Sequence, residues 1–146
     1  MDGLQPMVDK EKLAKYIQEL KGYLSHLDEL QKHPVNEFLS DWRIYSLSER
    51  QLHLTLEAFL TIGEMIIAEF GFDKPDTYAD IPRILFENKV IPKRLNDQLV
   101  DLARLRNVLV HDYLYLDHEK VYQHIQKDAK IIRKFIKEVK KFVSMR

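Results

Sequence analysis

The sequence predicts an all-α protein, residues 1–146 forming one domain built as a bundle of four long helices and one short one. Three observations carry this expectation. Apolar residues recur at i, i+3, i+4 and i+7 through four long segments, the spacing that gathers them on one helix face. The prolines, Pro6, Pro34, Pro75, Pro82 and Pro92, all fall where a helix would have to stop or start. No segment calls for a strand.

The first helix starts from Asp9, a suitable N-cap, and carries Leu13, Tyr16, Ile17, Leu20, Leu24 and Leu27 on one face as far as His33. After Pro34 a second long pattern runs to Phe70 through Leu52, Leu56, Phe59, Leu60, Gly63, Ile66 and Ile67, with a kink expected near Ser46 to Ser48. Gly71 follows as the residue that closes it. Phe72 to Asp80 reads as a loop and Ile81 to Asn88 as a short helix capped by Asp80. Pro92, at or near the first helical position, opens a helix through Leu95, Leu99, Leu102, Leu105 and Leu109. The last helix starts about Asp117 and carries Val121, Ile125, Ile132, Phe135, Ile136, Val139 and Phe142.

Composition narrows the class further. With 45% hydrophobic and 32% charged residues and only four glycines and five prolines, the chain is far from disordered, collagenous or Gly/Pro-rich β sequences. It has no cysteine, which excludes disulfides, thiolate metal sites and a cysteine nucleophile and fits a reducing compartment. The opening MDGLQPMVDKEKL is not a basic-then-apolar leader, and no apolar run approaches a membrane span, so a cytoplasmic protein is expected. Lys and Arg balance Asp and Glu, 23 against 23, which argues against a surface that is basic all over. The distribution is uneven: Glu119 to Arg146 holds nine basic residues and three acidic ones. That tail is either a solvated lysine face or a surface that attracts polyanions or an acidic partner.

One residue breaks the apolar stripe of the fourth long helix. Leu99, Leu102 and Leu109 share a face, and Arg106 stands where another leucine is expected. A guanidinium keeps its charge, so there it needs a carboxylate, a bound anion or an opening to solvent at a subunit interface. Glu57 or Glu64 could supply a structural ion pair. Five residues on is His111, which in an unbroken helix points about 140° away from Arg106. The two converge if the helix ends near Val110 to Asp112, or if two copies meet across a two-fold axis. An arginine and a histidine together suit RNA cleavage. The histidine moves a proton at the 2′-oxygen or the departing 5′-oxygen, and the arginine stabilises charge on the phosphorane. The ribose supplies the nucleophile, so the reaction needs no metal and spares DNA. The bare spacing is weak evidence, since this composition yields roughly one such arginine–histidine pair by chance.

The longer string is more specific. Arg106 to Tyr113 reads RNVLVHDY, which has the R-N-x3-H-x-Y form of the HEPN superfamily and closely resembles the HepT-like ribonuclease toxins of prokaryotic toxin–antitoxin pairs. The resemblance runs from about Leu52 to Val139, through TIGEMIIAEFG, PDTYADIPRIL, the VIP helix start and YLDHEKVYQHI, while residues 1–40 add only a compatible helix. It implies an all-α homodimer of HEPN type in which two motifs share a cleft. It also implies a metal-independent endoribonuclease of a type VII toxin–antitoxin system, acting on RNA such as tRNA, that requires no cofactor. Arg106 and His111 would be catalytic and Asn107 a positioning residue at the catalytic site. A cognate minimal nucleotidyltransferase antitoxin would adenylylate Tyr113 and so neutralise the toxin, placing phosphates and adenines where RNA must bind. One departure is Asp112, where many relatives have glycine between the motif's histidine and tyrosine. It either hinders a phosphate's approach or orients His111 and favours its protonated form. The competing reading is a non-catalytic binding module that partners such a nucleotidyltransferase, Arg106 contacting phosphate. A third is a helical dimer in which the motif is structural, with Arg106 paired to an internal carboxylate and shielded from solvent; Tyr113, taken alone, also reads as a half-buried aromatic closing the helix.

Other residues suggest less. His118 and His124 have a poor metal spacing, and His26, His33 and His53 are scattered. Trp42 and Tyr45 read as bundle core rather than a base-stacking platform, and Glu57, Glu64 and Glu69 lack the histidine partners of a di-iron bundle.

Overall fold

Asp9 turns the chain into its first helix as expected: its carboxylate accepts the Lys12 backbone N–H at 2.9 Å. In this computed structural model, which describes residues 9–146, helix α1 covers Lys10–Leu30 and α2 covers Val35–Ser40. They are followed by α3 at Trp42–Glu69, α4 at Asp80–Glu87, α5 at Lys93–His111 and α6 at His118–Ser144, with a 3₁₀ turn at Tyr113–Tyr115 between the last two. The described residues contain no strand. Pro6, read as a break, lies outside them.

The expected second helix is two helices. The break falls at Asp41 rather than at Ser46 to Ser48, all of which are helical. Asp41 adopts an extended backbone (φ −113°, ψ 105°), its carboxylate accepts the Arg43 backbone N–H at 3.0 Å, and its two oxygens take Nε and Nη2 of Arg43. A cap of this kind restarts a helix without glycine or proline. Gly71 closes α3 as predicted, in the left-handed region at φ 67°. Asp80 does not cap the short helix. It is the first residue of α4, and its carboxylate accepts the Asp76 and Thr77 N–H groups of the turn before. Pro92 precedes α5, and Asp117 caps α6 through the N–H groups of Glu119 and Lys120.

Helix α3 is the axis of the bundle and touches each of the other five. Its stripe of Leu52, Leu56, Phe59, Leu60 and Ile66 is buried, and Phe59 meets Phe135 of α6 edge-on at 5.3 Å. Gly63 lets α4 come close: a Cβ there would lie 2.5 Å from Ile81 Cγ2. The core stripe of α6 contains one residue that is not apolar, Asp128, fully buried between Ile125 and Ile132. His124 holds one of its oxygens at 2.8 Å, the other has no partner among the described residues, and burial pushes the carboxyl above its ordinary range. Trp42 is not core. It is 66% exposed at the start of α3, while Tyr45 packs inward against the His118 ring at 4.2 Å.

Candidate active site

Leu99, Leu102 and Ala103 bury one face of α5 against the bundle, and one turn further the same helix brings Arg106 to the edge of that face. Its side chain is only 13% exposed. Nε donates to Glu57 Oε1 of α3 at 2.5 Å, and Nη1 donates to the Asn107 side-chain oxygen at 3.3 Å. Cζ sits over the Tyr78 ring, 4.4 Å from its centroid. Of the two acids that could have paired with Arg106, Glu57 does so. The guanidinium has five N–H donors, and these contacts engage two of them, leaving three for an incoming anion.

A row of polar groups on α3 continues from Glu57. The same Oε1 lies 3.2 Å from His53 Nε2, and His53 Nδ1 lies 3.4 Å from Arg50 Nη1. The i, i+3 and i+4 spacings of one helix face bring these side chains into line. Beyond naming Glu57, sequence reasoning missed this row and the Tyr78 stack. The offsets of Arg50 and His53 from Glu57 could have revealed the row. Tyr78 comes from a loop, for which helical periodicity carries no signal.

Helix α5 stays helical through His111 and ends at Asp112, whose backbone (φ −126°, ψ 28°) leaves the helix while its N–H still reaches the Val108 carbonyl. Arg106 and His111 therefore lie on different faces of one helix, and no hydrogen bond joins them. His111 is exposed and has no side-chain partner among the described residues. Tyr113 opens the 3₁₀ turn and is 65% exposed, so it does not close the helix as a half-buried aromatic. Leu114 and Tyr115 beside it are more exposed still. His118 binds Glu49 at 2.7 Å under Tyr45, which makes it a structural tie between α6 and α3.

A part-buried arginine braced by an acid, an amide and an aromatic ring, near an exposed histidine and tyrosine at the end of the same helix, defines an all-α protein with a polar cluster at one end of α5. The sequence model of the family described as Ribonuclease HepT-like matches residues 13–139, and the chain belongs to that family. YutE of Bacillus subtilis is 27% identical over 139 residues, which cover 93% of this chain and 90% of that protein. The tRNA nuclease HepT of Aphanizomenon flos-aquae is 27% identical over 126 residues, 86% of this chain and 82% of that one. Among solved structures, that of the cytosolic protein YutE has a TM-score of 0.82 at 25% identity and covers 94% of this chain and 92% of its own. The tri-AMPylated HEPN toxin of Shewanella oneidensis, in complex with its MNT antitoxin, shares the fold with a TM-score of 0.80 at 23% identity, over 88% of this chain and 96% of that one.

Proposed function

We infer that the chain is an endoribonuclease toxin that cuts RNA without a metal, working as a homodimer whose two copies of Arg106 and His111 face one cleft. The observation that carries this reading is the bracing of Arg106. Glu57, Asn107 and Tyr78 fix the plane of the guanidinium, and its unengaged donors can meet two phosphate oxygens at once. Such a preorganised cation favours the extra charge that phosphorus carries in the transition state.

In the reaction His111 takes the proton of a ribose 2′-OH. The 2′-oxygen attacks the adjacent phosphorus, the P–O5′ bond breaks, and the leaving 5′-oxygen gains a proton from water, whose hydroxide is neutralised by the imidazolium. The products are a 2′,3′-cyclic phosphate and a 5′-hydroxyl end. Asn107, hydrogen-bonded to Arg106, positions that side chain. Because α5 directs Arg106 and His111 apart, a two-fold pairing of α5 ends is the route to convergence that supports this chemistry.

Tyr113 is the proposed site of regulation. Its exposed phenol can attack the α-phosphate of a nucleoside triphosphate held by a nucleotidyltransferase antitoxin, releasing pyrophosphate and leaving AMP on the tyrosine. Two residues from His111, that AMP would fill the cleft and present Arg106 with a covalent anion. No helix of the described residues is long and apolar enough to cross a membrane, and the proposed setting is the cytoplasm. Incubation of purified protein with RNA in EDTA tests the reading: cleavage lost in both Arg106→Ala and His111→Ala supports it. Cleavage that persists in both removes it. The Glu57 ion pair and the 13% exposure of Arg106 also suit a helical dimer in which the motif is structural, and for that reading the wild-type protein leaves RNA intact.

A further inference from the structure

Away from Arg106, helices α1 and α6 leave a groove between them. Two adjoining hollows, of about 330 Å³ and about 510 Å³, share Lys21 and Lys140 in their walls. The floor is apolar, from Leu13, Ile17, Ile136 and Val143, and no carboxylate lines either hollow. Lys21 of α1 and Lys140 of α6 line both hollows, and the neighbouring Lys21 holds the Lys140 ammonium below its ordinary pKa. Lys21, Lys137 and Lys140 have no ion-pair partner among the described residues, whereas nearby Arg133 is clamped by both oxygens of Asp28. Two neighbouring ammonium groups without an acid between them are stabilised by an anion that enters the groove.

The cations do not stop at the groove. Lys130, Lys134, Lys137 and Lys141 repeat at i, i+4, i+7 and i+11 along α6, all exposed, over about 16 Å of helix. An acidic peptide helix would be seated by the hollows alone. A band of one sign that extends beyond them matches a polyanion whose charge repeats along its length.

We propose that the α1–α6 groove, with Lys21, Lys137 and Lys140 at its centre, binds the phosphate backbone of RNA at a second site separate from the Arg106 cluster. The proposal rests on the ribonuclease reading and adds to it a docking surface that holds substrate without reading its bases.

The test uses the full chain and a fluorescent RNA of about 20 nucleotides whose riboses are 2′-O-methylated, so that it cannot be cut. Anisotropy titrations at several salt concentrations compare wild type with the triple variant Lys21→Gln, Lys137→Gln, Lys140→Gln, whose exposed positions leave the core untouched. Affinity at low salt is expected to fall about tenfold or more. The slope of log K against log salt should become shallower by about 2, near 0.7 for each single-strand phosphate contact. With cleavable RNA the variant should show a raised KM and an unchanged kcat. Unchanged affinity and salt slope would overturn the proposal. So would polyglutamate binding as tightly as RNA and losing as much in the variant, since the groove would then take an acidic peptide. If the wild type binds RNA through these lysines but cuts none, the groove stands and the nuclease reading falls.

Discussion

Glu57 either aims Arg106 or merely neutralises it, and Glu57→Gln and Glu57→Ala separate the two. Its Oε1 accepts from Arg106 Nε at 2.5 Å and lies 3.2 Å from His53 Nε2, and the side chain is 34% exposed. A charge-assisted hydrogen bond contributes about 1.5–3 kcal/mol when buried. Partial exposure reduces that to about 1–2 kcal/mol for alanine and about 1 kcal/mol for glutamine, which keeps an acceptor. In a domain of this size about 1 kcal/mol moves Tm by about 2–4 °C, so alanine should lower it by about 2–8 °C and glutamine by about 2–4 °C. Activity should fall further than stability. One fixed donor at a developing anion is worth about 10²–10³ in rate. Tyr78 and Asn107 still restrain Arg106, which brings the expected loss in kcat to about tenfold for glutamine and about a hundredfold for alanine. Single-turnover cleavage of a short RNA, beside thermal melts, reads both. Wild-type rates in Glu57→Ala would refute the aiming role, and faster cleavage would show that the carboxylate withholds the cation from substrate.

Other expected outcomes concern the fold and the regulation. Burial raises the Asp128 carboxyl, so the folded state keeps its proton to higher pH than the unfolded chain and stability declines as pH rises from about 4 toward the folded value. The Tm of Asp128→Asn relative to wild type should therefore increase from pH 4 to pH 8 in thermal scans; a difference that is constant with pH contradicts this. Gly63→Ala forces a methyl group to within 2.5 Å of Ile81 Cγ2 and should destabilise by about 1–3 kcal/mol in urea titrations, whereas an unchanged midpoint would mean α4 shifts freely. Intact-mass spectra after coexpression with a nucleotidyltransferase antitoxin should gain AMP-sized increments that Tyr113→Phe abolishes. Increments that survive in the phenylalanine variant would place the modification elsewhere.

Much of the fold was legible because helical burial is periodic. The apolar stripes of α1, α3 and α6, the Asp9 and Asp117 caps and the closing Gly71 all stand where the sequence placed them. The break at Asp41 was not legible. Apolar spacing shows which face is buried but does not register a one-residue interruption, and the cap that makes it is a carboxylate with no proline or glycine beside it. Trp42 was misplaced for a related reason: next to that break it starts a new helix on the solvent side. At the site, the permanent charge of Arg106 on an apolar stripe was enough to call for Glu57 or Glu64. Choosing between those two, and finding Tyr78, required the tertiary placement of α3 and of the loop before α4.

Mixing subunits tests the shared cleft most directly. Arg106→Ala and His111→Ala proteins, each inactive alone, are unfolded together, refolded and assayed on RNA in EDTA. If each site takes its arginine from one protomer and its histidine from the other, half of the dimers are mixed and each keeps one intact site, so about a quarter of wild-type activity should return. A mixture as inactive as its parts, with mixed dimers shown to be present by native mass spectrometry, would contradict a site built from two chains.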